Sequence, residues 1–186
     1  MAINRYYSSM QYESRSKVLS LGIKCLFISH QQKDKEAAKK IADYFINAGI
    51  DVYFDAYDSD LKYNHQSNNA KAVTDSIRKG INNSSHMLVV VSPNTLHSTW
   101  VPFEIGYGYD KTDLFAICLK GIQKGSLPEY IKTATIIRDI YDVNVFIERT
   151  SGVKQEILVE NKKIDSFGDY SNPLRDIMDS LINEKY

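Results

Sequence analysis

The segment Ser98-Thr99-Trp100-Val101-Pro102-Phe103-Glu104 puts a hydroxyl, an indole and a carboxylate close together just after an unbroken apolar run, Met87-Leu88-Val89-Val90-Val91. The run has the valine content and length of a strand buried on both faces. Ser92-Pro93-Asn94 stops it, and a hydroxyl at Ser98 or Thr99 can cap a new helix. Pro102 is tolerated there because amides of a first helical turn have no partner to lose. Glu104 follows Trp100 by four residues, so the two share a helix face. A carboxylate beside a tryptophan, reached by a loop from a strand end, is the layout of a site at the carboxyl edge of a sheet, where a charge can act on a bound substrate. The plain alternative is a solvated helix glutamate and a packed aromatic. Taken alone, these residues favour it for Glu104 and leave the two readings of Trp100 level.

Other chemistry-bearing residues offer less. Cys25 and Cys118 both sit in apolar strand-like runs and read as reduced core residues. His30, His65, His86 and His97 have no metal-ligand spacing, with one another or with the cysteines, so no metal site is expected. Gly106 and Gly108 follow a helix start, whereas a dinucleotide fingerprint precedes one, so close packing is the better account of both. The 186 residues carry 23 basic and 23 acidic side chains and 43% hydrophobic residues. That balance disfavours nucleic-acid binding through phosphate neutralisation. No run reaches membrane-spanning length and no signal-peptide core opens the chain, so a cytoplasmic protein is expected.

The elements that must position these residues follow in order. Lys24–Ser29 is a first buried strand, and His30-Gln31-Gln32-Lys33 a polar turn leading to Asp34, a plausible helix cap. Ala38, Ile41, Ala42 and Phe45 recur at helical spacing up to Gly49, with Lys35, Lys39, Asp43 and Asn47 opposite. Asp51–Asp55 is a second strand, so a βαβ unit and a parallel sheet are expected. Ala56–Asn69 is a long polar loop, of a length that tends to be functional. A helix with Val73, Ile77 and Ile81 inward precedes the central strand, and Asp113–Leu119 and Thr135–Ile137 supply two more. Tyr141–Ile164 reads as extended but irregular. Asn172-Pro173 opens a final helix with Leu174, Ile177, Met178 and Leu181 on one face. The expected architecture is an α/β, flavodoxin-like three-layer sandwich with a five-stranded parallel sheet in the order 2-1-3-4-5. Residues 1–23 form an arm or short helix, and 24–186 a domain with a C-terminal extension. In this order the switch point lies between the first and third strands, whose carboxyl ends are Ser29-His30 and Ser92-Pro93. Glu104 would lie over the mouth of that crevice.

These residues resemble a Toll/interleukin-1 receptor (TIR) domain of the stand-alone bacterial kind. Cys25-Leu26-Phe27-Ile28-Ser29-His30 followed by Asp34 is similar to the family's first box, with His30 where tyrosine is commoner. Val52-Tyr53-Phe54-Asp55 is similar to the second strand, which leads into the BB loop. Ser98–Glu104 matches the Ser-x-Trp-x-x-x-Glu segment that carries the catalytic glutamate of NAD-consuming members. The resemblance implies that Glu104 is catalytic, which reverses the plain reading, and that NAD+ is the substrate, with no separate cofactor. Nicotinamide leaves NAD+ without needing a general acid, so a single carboxylate can stabilise the ribosyl cation.

Around it, Trp100 would wall the pocket, Ser98 would contact the substrate, and helix and loop amides near Ser29, His30, Gln31 and Gln32 would face the diphosphate. Asp55 and Asp58 would orient ribose hydroxyls or merely solvate the loop, with solvation slightly favoured. The resemblance further implies an ADP-ribose-type product, a cyclic one favoured, made as a signal in Thoeris-like antiphage defence. With it come self-association through TIR–TIR contacts and a separate effector that senses the product. A non-catalytic TIR scaffold, or a nucleoside deoxyribosyltransferase, would be the alternatives.

Overall fold

The computed structural model describes residues 1–8, 15–55, 70–123 and 125–182. The Ala56–Asn69 stretch, expected to be a long functional loop, lies outside them.

Five strands make one parallel sheet: β1 (Cys25–Ser29), β2 (Asp51–Tyr53), β3 (His86–Val91), β4 (Asp113–Cys118) and β5 (Thr135–Ile137). Their order is β2-β1-β3-β4-β5, the expected flavodoxin-like arrangement. Alternation along β1 explains the layers, because successive side chains point to opposite faces. Leu26 and Ile28 join a core with Ile41, Phe45, Leu88, Val90, Val143 and Ile147. Cys25 and Phe27 join another with Ile77, Ile81, Met87, Val89, Val101 and Ile105. Helices α2 (Lys35–Asn47) and α6 (Ile140–Ser151) therefore cover one face. Helices α3 (Ala70–Asn82), α4 (Trp100–Gly108) and α5 (Glu129–Lys132) cover the other. Short helices α1 (Arg15–Ser20) and α7 (Gln155–Glu160) complete the described set. No helix among the described residues is long and apolar enough to cross a membrane.

Close approach of α3 to the sheet depends on a glycine. A Cβ on Gly80 would stand 2.7 Å from both Phe27 and Tyr53, which pair across β1 and β2. On α4, a Cβ at Gly108 would stand 2.5 Å from Met87 Sδ, whereas one at Gly106 would meet open space. Close packing thus accounts for Gly108 and not for Gly106.

Several expectations are corrected. The stretch expected to be irregular, Tyr141–Ile164, holds two helices. Asp139 caps α6 by accepting from Asp142 N at 2.8 Å, and Gly152 ends it in the left-handed region at φ +73°. Val143, Phe146, Ile147 and Thr150 are buried at helical spacing, and Phe146 packs on Phe45 and Phe115. The residues themselves are β-branched and aromatic, which disguises a helix whose stability comes from this packing. The helix expected from Asn172-Pro173 is instead a series of turns through residue 178. Asn172 Oδ1 accepts from Leu174 N at 2.9 Å, and Asp179 then bridges in parallel to Asp139. Asp179 O also accepts from Ile140 N at 2.9 Å, which ties this segment to the start of α6. Leu174 and Met178 are buried as expected, but Leu181 is 47% exposed.

The first residues lie along the free edge of β2. Ile3 O accepts from Val52 N at 3.0 Å, and Asn4 bridges Val52 in parallel. Asn4 donates from Nδ2 to Phe54 O at 2.7 Å and accepts at Oδ1 from Phe54 N at 3.1 Å. Arg5 and Asp51 pair at 2.6 Å, and Asp51 also accepts from Ile3 N at 2.9 Å.

Candidate active site

At the carboxyl end of β1, Ser29 is buried and its hydroxyl donates a short hydrogen bond to Glu104 Oε2. Glu104 arrives from α4, whose start is fixed by Ser98: its Oγ accepts from Val101 N at 3.2 Å, so Ser98 rather than Thr99 is the capping hydroxyl. The carboxylate does not stand over an open mouth. It is 7% exposed, held inside the crevice by its place on α4 between Val101 and Ile105, both of which are buried. Burial pushes its pKa from an ordinary 4.5 up to about 7, while the Ser29 hydrogen bond pulls the other way. Near neutrality this group holds or releases its proton at little cost.

Glu104 lines a cavity of about 250 Å³. Of the residues nominated from sequence, His30, Gln31, Asp55, Ser98 and Trp100 line it too. Ser29 does not; it acts on the cavity only through Glu104. The His30 ring lies tilted against Phe54, centroids 5.0 Å apart, and burial lowers its pKa, which favours the neutral imidazole. Gln31 uses its side-chain oxygen to accept from Lys33 N at 2.5 Å, which shapes the turn. Trp100 is half-buried and meets Phe103 edge-on at 6.0 Å.

Asp34 has a different task from the one expected. It stands at the start of α2 but makes no side-chain cap. Its carboxylate instead accepts from Ser92 Oγ at 2.5 Å and from Asn94 Nδ2 at 2.7 Å. The turn after β1 is thereby tied to the loop that leaves β3 for α4, the two segments that deliver His30 and Trp100. Gln32, the end of the segment expected to face the diphosphate, lines the cavity as well, and there are walls that sequence reasoning missed: Tyr6, Phe27, Tyr53, Ser76, Ile77, His97 and Thr99. Phe27, Tyr53 and Ile77 were legible only as core. Tyr6 had no signal at all, since nothing in the sequence ties residue 6 to β2. Such a site can bind a small apolar-and-polar ligand and set one carboxylate, poised between its charged and neutral forms, against a developing positive charge.

The family model described as the TIR domain matches residues 26–155. A Cytobacillus dafuensis protein named "Putative cyclic ADP-D-ribose synthase TIR2" is 38% identical over 104 residues, which is 54% of this chain and 26% of that protein. The chain therefore spans about a quarter of that relative's length. Among solved structures, a diflavin flavoprotein A3 from Nostoc sp. aligns over 75% of this chain and 96% of its own, with TM-score 0.41 and 10% identity. That likeness says nothing about function.

Proposed function

The chain belongs to the TIR-domain family, and from that premise we propose that it cleaves NAD+ at the nicotinamide–ribose bond. The observation that carries the reading is the buried carboxylate of Glu104, bonded to Ser29 and facing a cavity walled by Trp100. The C1′–N bond breaks with its electron pair leaving on nicotinamide, which departs neutral. Positive charge builds on C1′ and the ring oxygen, and the ionised Glu104 stabilises it. A carboxylate in a water-poor site does this more strongly than one in solvent. A cationic nicotinamide ring bound nearby favours the ionised form of Glu104 over the neutral one. Attack on C1′ by water, with loss of a proton, gives ADP-ribose; attack by an adenine nitrogen, also with loss of a proton, gives a cyclic isomer. The relative's printed name supports the cyclic product.

The finer reading is a signal in antiphage immunity, sensed by a separate effector and made by self-associated protomers. It rests on the resemblance to stand-alone bacterial TIR proteins. In this reading His30, Gln31 and Asp55 contact the remainder of NAD+. Purified protein incubated with NAD+ should release nicotinamide and an adenine nucleotide that mass spectrometry resolves by isomer. A chain that leaves NAD+ intact across a wide range of protein concentration would sink the enzymatic reading.

A further inference from the structure

Tyr6 lines the cavity although it comes from outside the segment that matches the TIR family, residues 26–155. What brings it there is the edge pairing of residues 3–5. Ile3 and Asn4 bond to Val52 and Phe54 as an added stretch of strand, and Arg5 locks onto Asp51. An exposed sheet edge offers a row of unpaired donors and acceptors, and an extended segment that takes them up is held in register. The register decides where the next side chain falls. Tyr6 falls on Tyr53, ring edge to ring face at 5.7 Å, stays only half-buried and lines the cavity. Adjacent strands lie about 4.8 Å apart, so the arm is about 10 Å across the sheet from β1, where Glu104 meets Ser29. Tyr6 therefore bounds the cavity on the side away from the reacting carboxylate.

We propose that residues 3–7 are a positioning strand and that Tyr6, delivered by it, is the wall against which a planar heteroaromatic base of the substrate packs. The choice of base rests on the NAD-cleaving reading; the delivery of Tyr6 by the arm does not. Aromatic surface suits such a base because stacking needs only a π-face and rigid geometry, and it contributes to binding without taking part in bond breaking. Tyr6 is thus a specificity-determining residue, and Asn4, which does not line the cavity, acts through it.

The test compares the full chain with Tyr6→Ala, Tyr6→Phe and Asn4→Ala, using NAD+ and nicotinamide mononucleotide as substrates and thermal melts as a check on folding. Tyr6→Ala and Asn4→Ala should each raise KM for NAD+ about tenfold while kcat changes less, and Tyr6→Phe should stay close to wild type. A loss on both substrates identifies the packed base as nicotinamide; a loss on NAD+ alone identifies it as adenine. Wild-type KM in Tyr6→Ala, or in Asn4→Ala, overturns the proposal. If the unaltered chain releases no nicotinamide at all, the fault lies with the NAD-cleaving reading. Saturation-transfer NMR of AMP and of nicotinamide mononucleotide then decides the matter without turnover. Saturation reaching the base protons in wild type and lost in Tyr6→Ala sustains the wall; no such contact in wild type overturns it.

Discussion

The two ends of the sheet hold similar side chains and do opposite things with them. At the amino end, Ser84, Ser85 and His86 lie beside Cys25, a cluster that looks as reactive on paper as Ser29, His30 and Glu104. Ser85 Oγ accepts from Cys25 N at 3.0 Å, donates to Cys25 O at 3.1 Å and lies 2.7 Å from His86 Nδ1. Ser84 Oγ donates to Gly80 O at 3.0 Å, and Asn83 Nδ2 to Lys79 O at 2.8 Å. Most of these hydrogen bonds go to backbone, and Ser85 and His86 bond to each other. At the carboxyl end, Ser29 bonds to Glu104, and Glu104 faces a cavity of about 250 Å³. The carboxylate has been taken out of water without the partners that would fully offset the loss. Residue type does not separate a structural cluster from a reactive one. What separates them is whether polar groups spend their hydrogen bonds on the fold or keep them for a ligand.

That contrast breaks first at Glu104. Glu104→Gln keeps size and hydrogen bonding and removes the charge, so nicotinamide release should fall by roughly a hundred- to a thousand-fold. Stability should move the other way. Below about pH 4.5 the wild-type carboxyl is protonated both folded and unfolded; between 4.5 and about 7 the native state keeps the proton that the unfolded state loses. Wild-type stability from this group is thus fully present at low pH and lost as pH rises through about 7, by roughly 3 kcal/mol at most. The glutamine variant escapes that loss. Its melting temperature should match wild type near pH 4.5 and exceed it at pH 8. A variant that stays active, or that melts below wild type at pH 8, would put Glu104 with the structural groups.

The amino end should answer in the reverse sense. Ser85→Ala leaves the buried Cys25 amide without its side-chain acceptor, at a cost of about 1–3 kcal/mol in denaturant unfolding, with kcat/KM for NAD+ unchanged. Loss of turnover without loss of stability would mean that this cluster is chemical after all.

The smallest effect sharpens the comparison most. Ser29→Ala removes the hydrogen bond that favours the ionised form of Glu104, so the carboxyl's pKa should rise further. If the ionised form is the active one, the ascending limb of kcat/KM against pH, which should lie near 7 in wild type, should move to higher pH while the plateau is largely kept. A limb that does not move would leave Ser29 as packing alone.

Local patterns determined much of this protein in advance. The strands are short apolar runs and α2 and α3 are amphipathic, so their periods declare them and, with parallel crossovers, their order. The Ser98–Glu104 spacing put the carboxylate after the central strand, because a capped helix start is a local matter. Helix α6 stood closer to the boundary: its buried positions repeat correctly, but its β-branched and aromatic residues make a helix only when Phe45 and Phe115 are there to pack on. Other features belong to the tertiary structure alone. The depth of Glu104, and with it its hold on a proton near neutrality, depends on Val101, Ile105 and Ser29 closing around it. Asp34 turns from capping α2 to tying Ser92 and Asn94 because β3 passes within reach. Tyr6 enters the cavity only because the free edge of β2 accepts Ile3 and Asn4. Periodicity is written in neighbours along the chain, whereas desolvation and edge pairing are set by residues distant in sequence that the fold brings together.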